Sequence, residues 1–175
     1  MPQRHPRPRP SRAPGRPASA PKDPTDVLRG ILELTPAAPD PVTGQVRFTG
    51  TTPRQTRGRV FGGQVLAQSL AAASRTVPGA RPAHSLHGYF IRPGDALQPI
   101  TFTVETLRDG RSFSVRRVLA SQNEKAILAL TCSFQEPAGS ALDHQVAMPE
   151  GVPRPEDLPT TADVLGGINH PVAQE

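Results

Sequence analysis

The sequence is poor in several residue types, and each scarcity excludes a kind of protein. Its 175 residues include one cysteine, one tyrosine, six phenylalanines and no tryptophan. A single cysteine excludes a disulfide within the chain, which favours a reducing compartment, and we expect the cytoplasm. No apolar run reaches the ~18 residues of a membrane-spanning helix. The arginine- and proline-rich start also has no apolar segment of the kind found in a secretory signal.

The aromatic residues locate the hydrophobic core. All of them lie between positions 48 and 134, while most of the 22 prolines lie outside that window. Proline-rich flanks cannot bury enough apolar surface to offset the entropy that is lost on ordering. We therefore expect a folded domain over residues 25–137, a disordered leader over residues 1–24, and a linker or truncated tail over residues 138–175.

The net charge of +5 comes from the leader. Residues 1–22 contain six basic and no acidic side chains, which leaves 14 basic and 15 acidic groups in the rest of the chain. A nearly neutral domain gives no reason to expect a nucleic-acid partner. The leader alone leaves open a weak electrostatic attachment to nucleic acid or to an anionic surface.

An apolar segment over residues 65–76 contains no helix breaker and almost no charge. A helix that is apolar on all sides must be surrounded by other structure, so we predict a buried central helix over about residues 63–77. The segments around it alternate between apolar and polar side chains, which is typical of strands. The predicted strands cover residues 45–49, 84–92, 99–108, 111–121 and 126–135.

Local signals refine this α+β plan. Residues 23–26 are typical of a helix start, and Pro36 should end that helix. Asp109-Gly110 predicts a two-residue type I′ hairpin, which requires positive φ at both positions, and residues 122–125 form the next turn. In the strand between these turns the apolar positions change phase at Arg116-Arg117, which predicts a β-bulge there.

Four separated segments carry a family resemblance. They are RVFGGQVLAQ at residues 59–68, HSLHGYFIRP at 84–93, LRDGRSFS at 107–114 and CSFQ at 132–135. In this order and spacing they resemble the N-terminal half of the acyl-CoA thioesterase II family, over about residues 26–149. The resemblance implies a single hotdog fold, in which an antiparallel sheet wraps around one central helix. It also implies hydrolysis of fatty acyl-CoA to free fatty acid and CoA, without a cofactor. Members of that family are double hotdogs, and this chain ends where the second hotdog would begin.

The resemblance leaves the catalytic residues of this chain open. Hotdog thioesterases activate water with a carboxylate, or with Gln and Thr side chains, and stabilise the oxyanion with N–H groups at a helix start. The family's catalytic Asp and its Ser/Thr and Gln partners lie in the second hotdog, so they have no counterpart here. Two candidates remain, Gln64 beside the helix start and Gln135 by the internal likeness of the two halves.

The substrate-binding candidates are Gly62, Gly63, Gln64, His84, Arg92 and Arg111. The glycines suit close backbone approach at a helix start, either to a substrate or simply to the sheet. The two arginines end strands, where they suit the phosphates of CoA or are merely solvated. His84 and His87 lie three residues apart on a strand and should point to opposite faces, so we expect no metal site. Cys132 lies in an alternating apolar pattern and should be buried rather than reactive.

Other functions compete with hydrolysis. A non-catalytic hotdog would dimerise and hold acyl-CoA, and the basic leader would suit a nucleic-acid-associated module. A hotdog dehydratase needs a His that faces an acid, and no acid stands at the helix start to face His84. Besides acyl-CoA, we expect as partner a second copy of the chain in a homodimer, or a separate second hotdog half.

Overall fold

The computed structural model describes residues 23–52, 58–139, 142–160 and 163–164. The chain divides into two compact units, residues 1–137 and 138–175. In the second unit a 3₁₀ helix spans Pro155–Asp157, and the side chains of Thr160 and Asp163 each accept a hydrogen bond from the other's backbone N–H. The leader that we predict for residues 1–24 lies almost entirely outside the described residues, and the linker character of the second unit stays a prediction.

The first unit is an antiparallel sheet with a helix packed on it. Neighbouring strands follow the order β1-β2-β4-β5-β6-β3, and every pair is antiparallel. This architecture confirms the predicted single hotdog with one central helix. In chain order the elements are α1 (Pro24–Leu32), β1 (Thr35–Ala37), β2 (Val46–Gly50), α2 (Gly62–Ser74), β3 (Ala83–Phe90), β4 (Ile100–Asp109), β5 (Phe113–Gln122) and β6 (Lys125–Gln135).

The first helix ends earlier than expected, and Pro36, which was predicted to end it, lies in a strand that the sequence did not predict. Asp23 caps α1 by accepting a hydrogen bond from the N–H of Thr25 at 2.7 Å, and α1 ends at Leu32. Pro36 belongs to β1, which pairs only with β2 and is therefore an edge of the sheet. An edge strand tolerates proline because the missing N–H would not have joined the ladder on its free side.

The core lies between α2 and the inner face of the sheet. The small residues Ala72 and Ala73 are fully buried and let the helix approach inner-face side chains such as Phe102 and Val118 closely. On its other side the helix carries residues that are only partly buried, including Leu66, which borders β3. The predicted burial therefore holds for the side that faces the sheet, while the side next to β3 lies near the surface.

Strand β5 has no bulge at Arg116-Arg117, so that prediction is wrong. Its residues alternate regularly between the two faces, and the extra residue in its pairing with β4 is Leu107 of β4. The alternation of apolar residues along β5 gave a wrong prediction because Ser114 and Arg116 are polar but fully buried, whereas Phe113 and Val115 lie on the outer side. Apolar residues therefore marked the wrong face in the first half of this strand.

Arg116 is buried because its guanidinium is fully engaged. Nε donates a hydrogen bond to Thr76 Oγ1 and Nη2 donates to the Thr76 carbonyl, both at 2.8 Å. Nη2 also forms an ion pair with Asp109 Oδ1 at 2.9 Å. A hydrogen bond from Ser114, with the hydrogen bond and charge of Arg116, lowers the pKa of Asp109. The buried arginine thus ties the segment after α2 to the β4–β5 hairpin.

The type I′ turn lies in the next hairpin, not at Asp109-Gly110 as predicted. Asn123 and Glu124 have φ values of 47° and 62°, while Asp109-Gly110 is not among the positions with positive φ. The β4–β5 connection is a three-residue loop over residues 110–112. Arg81 donates hydrogen bonds to two carbonyls of this loop, at 3.0 and 2.8 Å. Tertiary contacts therefore override the local preference for a tighter turn.

Candidate functional site

The start of α2 presents two backbone N–H groups without partners. Phe61 precedes the helix in an extended conformation, and its carbonyl accepts hydrogen bonds from the N–H groups of Gln64 and Val65 at 3.1 and 3.3 Å. Within the described residues, no hydrogen bond engages the N–H of Gly62 or Gly63. Unpaired N–H groups at a helix start carry partial positive charge. They are suited to stabilise an anion such as the oxyanion of an acyl-transfer reaction.

Two aromatic rings explain why the helix begins with glycines. A Cβ on Gly62 would stand 2.9 Å from Cζ of Phe90, and a Cβ on Gly63 would stand 2.5 Å from Cε1 of Phe61. These phenylalanines are 59% and 75% exposed. The glycines therefore permit a close approach of two surface rings. The ring beside Gly62 belongs to β3. Packing of the helix against the sheet, rather than close approach to a substrate, therefore accounts for the glycine at position 62.

A cleft of about 360 Å³ opens beside this helix start. Val60 anchors one wall because its N–H donates a hydrogen bond to the carbonyl of Gly94 at 3.0 Å. The cleft has an apolar floor and two arginines, and none of its lining residues is acidic. It is lined by Arg59, Val60, Gly62, Val65, Phe90, Ile91, Arg92, Pro93, Gly94 and Ile127.

Gln64 does not line the cleft but is held by a second glutamine, Gln68, which the sequence analysis did not single out. Gln68 is fully buried, and its Nε2 donates hydrogen bonds to the carbonyls of Ile31 and Thr51 at 2.9 and 3.1 Å. Its Oε1 accepts a hydrogen bond from Gln64 Nε2 at 3.3 Å, and the same nitrogen lies 3.2 Å from Thr52 Oγ1. The amide nitrogen of Gln64 is thus engaged. The only feature of the sequence that indicates this contact is the spacing of the two glutamines, which lie four residues apart and therefore on one helix face.

The other predicted residues lie at the far end of the sheet. Gln135 pairs with Phe113 across β5 and β6, and Arg111 lies in the loop just before β5. From Ile127 in the cleft to Gln135 at the end of β6 is about 26 Å at ~3.3 Å per residue. The predicted set therefore separates into Gly62, Gly63, Gln64 and Arg92 at one end, and His84, Arg111 and Gln135 at the other.

His84 and His87 do not point to opposite faces, which corrects the prediction. His84 is an extra residue in the pairing of β3 with β6, and its Nε2 lies 2.8 Å from Ser133 Oγ. His87 pairs with Thr131, which is on the same outer side as Ser133. A bulge adds one residue and so reverses the expected alternation. Within the described ranges, no group of three or more His, Cys, Asp or Glu side chains is arranged to hold a metal ion.

Cys132 is buried on the inner face, as predicted. Burial raises the pKa of its thiol to about 11, although the positive charge of Arg116 acts in the opposite direction. A thiol with such a pKa is almost entirely protonated near neutrality, so this residue is a poor nucleophile.

In the part of the chain that the structure describes, no helix is long and apolar enough to span a membrane.

Known proteins resemble this chain over the same region. Residues 50–135 match the family described as acyl-CoA thioesterase N-terminal domain. Acyl-coenzyme A thioesterase 8 of Mus musculus is 42% identical over 132 residues, which are 75% of this chain and 39% of that protein. Acyl-CoA thioesterase 2 of Haemophilus influenzae is 50% identical over 100 residues, which are 57% of this chain and 34% of that protein.

A solved structure is similar to this chain as well. The tesB protein of Mycobacterium avium subs paratuberculosis matches with a TM-score of 0.61 at 42% identity, over 77% of this chain and 49% of that one. The chain therefore spans less than half the length of each of these three proteins. The matched residues 50–135 contain α2, strands β3 to β6 and the whole cleft. The hotdog domain of this chain belongs to the acyl-CoA thioesterase N-terminal domain family.

Proposed function

We propose that this domain takes part in the hydrolysis of acyl-CoA thioesters to free acid and CoA. The observation that carries the proposal is the pair of unpartnered N–H groups at Gly62 and Gly63, beside a cleft of about 360 Å³. The names of the relatives supply the substrate class. In this reaction a water oxygen bonds to the thioester carbonyl carbon, and the carbonyl oxygen gains negative charge. The C–S bond then breaks, and the CoA sulfur takes up a proton.

In this proposal the domain supplies oxyanion stabilisation, and the base that activates water comes from a second hotdog. The cleft lining includes no carboxylate, and removal of a general base typically lowers a rate 10²- to 10⁴-fold. Of the candidates on this chain we propose a role for Gln64 only. Gln64 lies in the first turn of α2 next to the two glycines, although outside the cleft lining, whereas Gln135 lies on the outer face at the far end of the sheet.

We propose that the second hotdog docks along β3. This strand is an edge of the sheet, and its apolar side chains Leu86, Tyr89 and Phe90 are exposed, as is Ile91 beyond its end. An eight-residue edge strand without Lys, Glu or Pro is open to pairing with another chain. The second hotdog would come from a second copy of this chain or from a separate half. The cytoplasm is the compartment that we propose, supported by the single unpaired Cys132.

A second candidate function is the binding of acyl-CoA without hydrolysis. The specific observation in its favour is again the cleft, which combines two arginines with an apolar floor but has no acidic lining residue. A homodimer of such domains would contain two sites that bind a thioester and lack a base.

Release of CoA thiol from acyl-CoA, measured with a thiol reagent, tests these proposals. The full chain is assayed alone and then mixed with the part of the Haemophilus influenzae relative that it does not match. We expect slow turnover by the chain alone and a rise of at least about 100-fold in the mixture, because the base is restored. Binding of acyl-CoA without turnover in either sample would favour the second candidate. Turnover by the chain alone at about 1 s⁻¹ or faster, an ordinary enzyme rate, would show that the base lies in this domain.

A further inference from the structure

Two guanidinium groups in the cleft have no acidic partner among the residues that the structure describes. Arg59 and Arg92 both line it. Arg92 Nη1 donates a hydrogen bond to the carbonyl of Ala126 at 2.9 Å, which leaves its remaining N–H groups available. Within the described residues, the Arg59 side chain takes part in no hydrogen bond or ion pair. Two positive charges therefore stand at one small cavity, and no described acidic side chain compensates them.

The nearest carboxylate along the chain does not neutralise them. Asp95 is the β-bridge partner of Arg59, but its Oδ1 accepts a hydrogen bond from the N–H of Leu97 at 2.9 Å. It forms no ion pair with either arginine, and it is not among the residues that line the cleft. The cleft is consequently positive, although the domain as a whole is nearly neutral.

The chemistry of the cleft fits a ligand with a phosphate next to an uncharged arm. Guanidinium groups bind phosphate oxygens through paired, charge-assisted hydrogen bonds. The floor beside them is formed by Val60, Val65 and Ile127, which suits an uncharged chain. A volume near 360 Å³ lies within the range of sites that hold small molecules or parts of them.

We infer that Arg59 and Arg92 bind phosphate groups of the CoA moiety and so select CoA thioesters over uncharged thioesters. The identity of the ligand rests on the proposed function. Arg111, which the sequence pattern grouped with Arg92, lies at the far end of the sheet and has no part in this site. Arg59, which the pattern did not single out, takes its place because the bridge to Asp95 brings it to the cleft.

Calorimetric titration of the full chain with CoA, dephospho-CoA and pantetheine tests the inference. These probes share the uncharged arm. Dephospho-CoA lacks one phosphate of CoA, and pantetheine lacks all of the phosphates together with the adenosine, so the salt dependence and the arginine variants report on the phosphates themselves. We expect CoA to bind at least about tenfold more tightly than pantetheine at low ionic strength, and to lose this advantage as salt screens the arginines. Arg59→Gln and Arg92→Gln should each weaken CoA binding about three- to tenfold, as for partly exposed charged contacts, and leave pantetheine binding unchanged. The behaviour of dephospho-CoA shows which phosphate is bound.

Arg111→Gln is the matched control, since it removes the same charge at the other end of the sheet. An equal loss of CoA affinity in this variant, or no loss in the two cleft variants, would overturn the inference. So would a wild-type chain that binds CoA no better than pantetheine. Hydrolysis of an uncharged acyl thioester in the mixture with the second half tests the proposed function separately. Failure of that reaction with the wild-type chain would contradict the proposed function, whereas the CoA titrations alone decide whether the arginines bind phosphate.

Discussion

The ring of Phe90 in β3 stands so close to Gly62 in α2 that a Cβ on the glycine would lie 2.9 Å from the ring carbon Cζ. The contact joins the exposed edge of the sheet to the first residue of the central helix, where no hydrogen bond from the described residues engages the N–H of Gly62 or Gly63. It also forms part of the cleft, which both residues line. The geometry of the candidate site therefore depends on the absence of a side chain at one position.

Gly62→Ala should stabilise the chain less in the presence of the Phe90 ring than in combination with Phe90→Ala. The added methyl group displaces the ring only while the ring is present, so we expect a coupling free energy of about 1 kcal/mol. Urea unfolding of the two single variants and the double variant measures it. Gly30→Ala is the control, because Gly30 lies in α1 with nothing within 4 Å of its Cβ position. It should gain about 0.5–1 kcal/mol from helix propensity. Additive effects of the two changes would contradict the contact.

Arg116→Met should lower the free energy of unfolding by about 3–5 kcal/mol. The variant removes hydrogen bonds to both oxygens of Thr76 and the ion pair to Asp109, so these acceptors lose a charged donor. Denaturant titration measures the loss. Arg117→Met is the comparison, because Arg117 is the next residue on the strand and forms an exposed ion pair with Glu105. Such a pair contributes about 0–1 kcal/mol. Similar losses in both variants would show that burial of Arg116 is not what matters.

Acid should destabilise the domain partly through Asp109. Its pKa in the folded state lies below the ordinary value of 3.8, because of hydrogen bonds from Ser114 and Arg116. The carboxylate therefore stabilises the fold fully above 3.8, and this contribution is lost as pH falls from there through the lower folded pKa. Unfolding midpoints between pH 2.5 and about 6 should fall less steeply in Asp109→Asn. Ser114→Ala should flatten the curve in the same sense. An unchanged acid slope in Asp109→Asn would refute the assignment.

Leu86→Lys should weaken self-association of the chain at micromolar concentration. Leu86 lies on the free edge strand and is 45% exposed, and a lysine there places charge against an incoming strand. Sedimentation velocity over a range of concentrations measures the change. Leu119→Lys is the control, since Leu119 is 43% exposed but lies in β5, inside the sheet. A wild-type chain that is a stable monomer, or equal dissociation by both lysine variants, would contradict docking along β3.

The elements were predictable because their signals are local. The central helix follows from an apolar segment without breakers, and strands β3 to β6 follow from alternation between turns; all of them lie close to the predicted positions. The resemblance of the segments at 59–68 and 84–93 identified the family for the same reason, since each segment is one contiguous stretch around a helix start or an edge strand.

Local signals failed where a distant side chain decides the structure. The loop at 110–112 is open because Arg81 hydrogen-bonds to it from another part of the chain. Arg116 is buried because Thr76 and Asp109 satisfy its N–H groups, although arginine in isolation predicts exposure. The candidate site separated into two ends because the pairing of β3 with β6 sets which strand ends meet.

The amino-acid sequence by itself determined the fold class, the order of its elements apart from β1, and the family. These depend on hydrophobic periodicity and on short contiguous motifs, whose physical basis lies within a few residues. Only the tertiary structure decided that Arg59 joins Arg92 and Gly62, that Gln68 hydrogen-bonds to Ile31 and Thr51, and that Gln135 and Arg111 lie elsewhere. Strand register and the hydrogen bonding of buried polar groups determine which segments distant in sequence lie close together. Neither of them can be predicted from the spacing of residues along the chain.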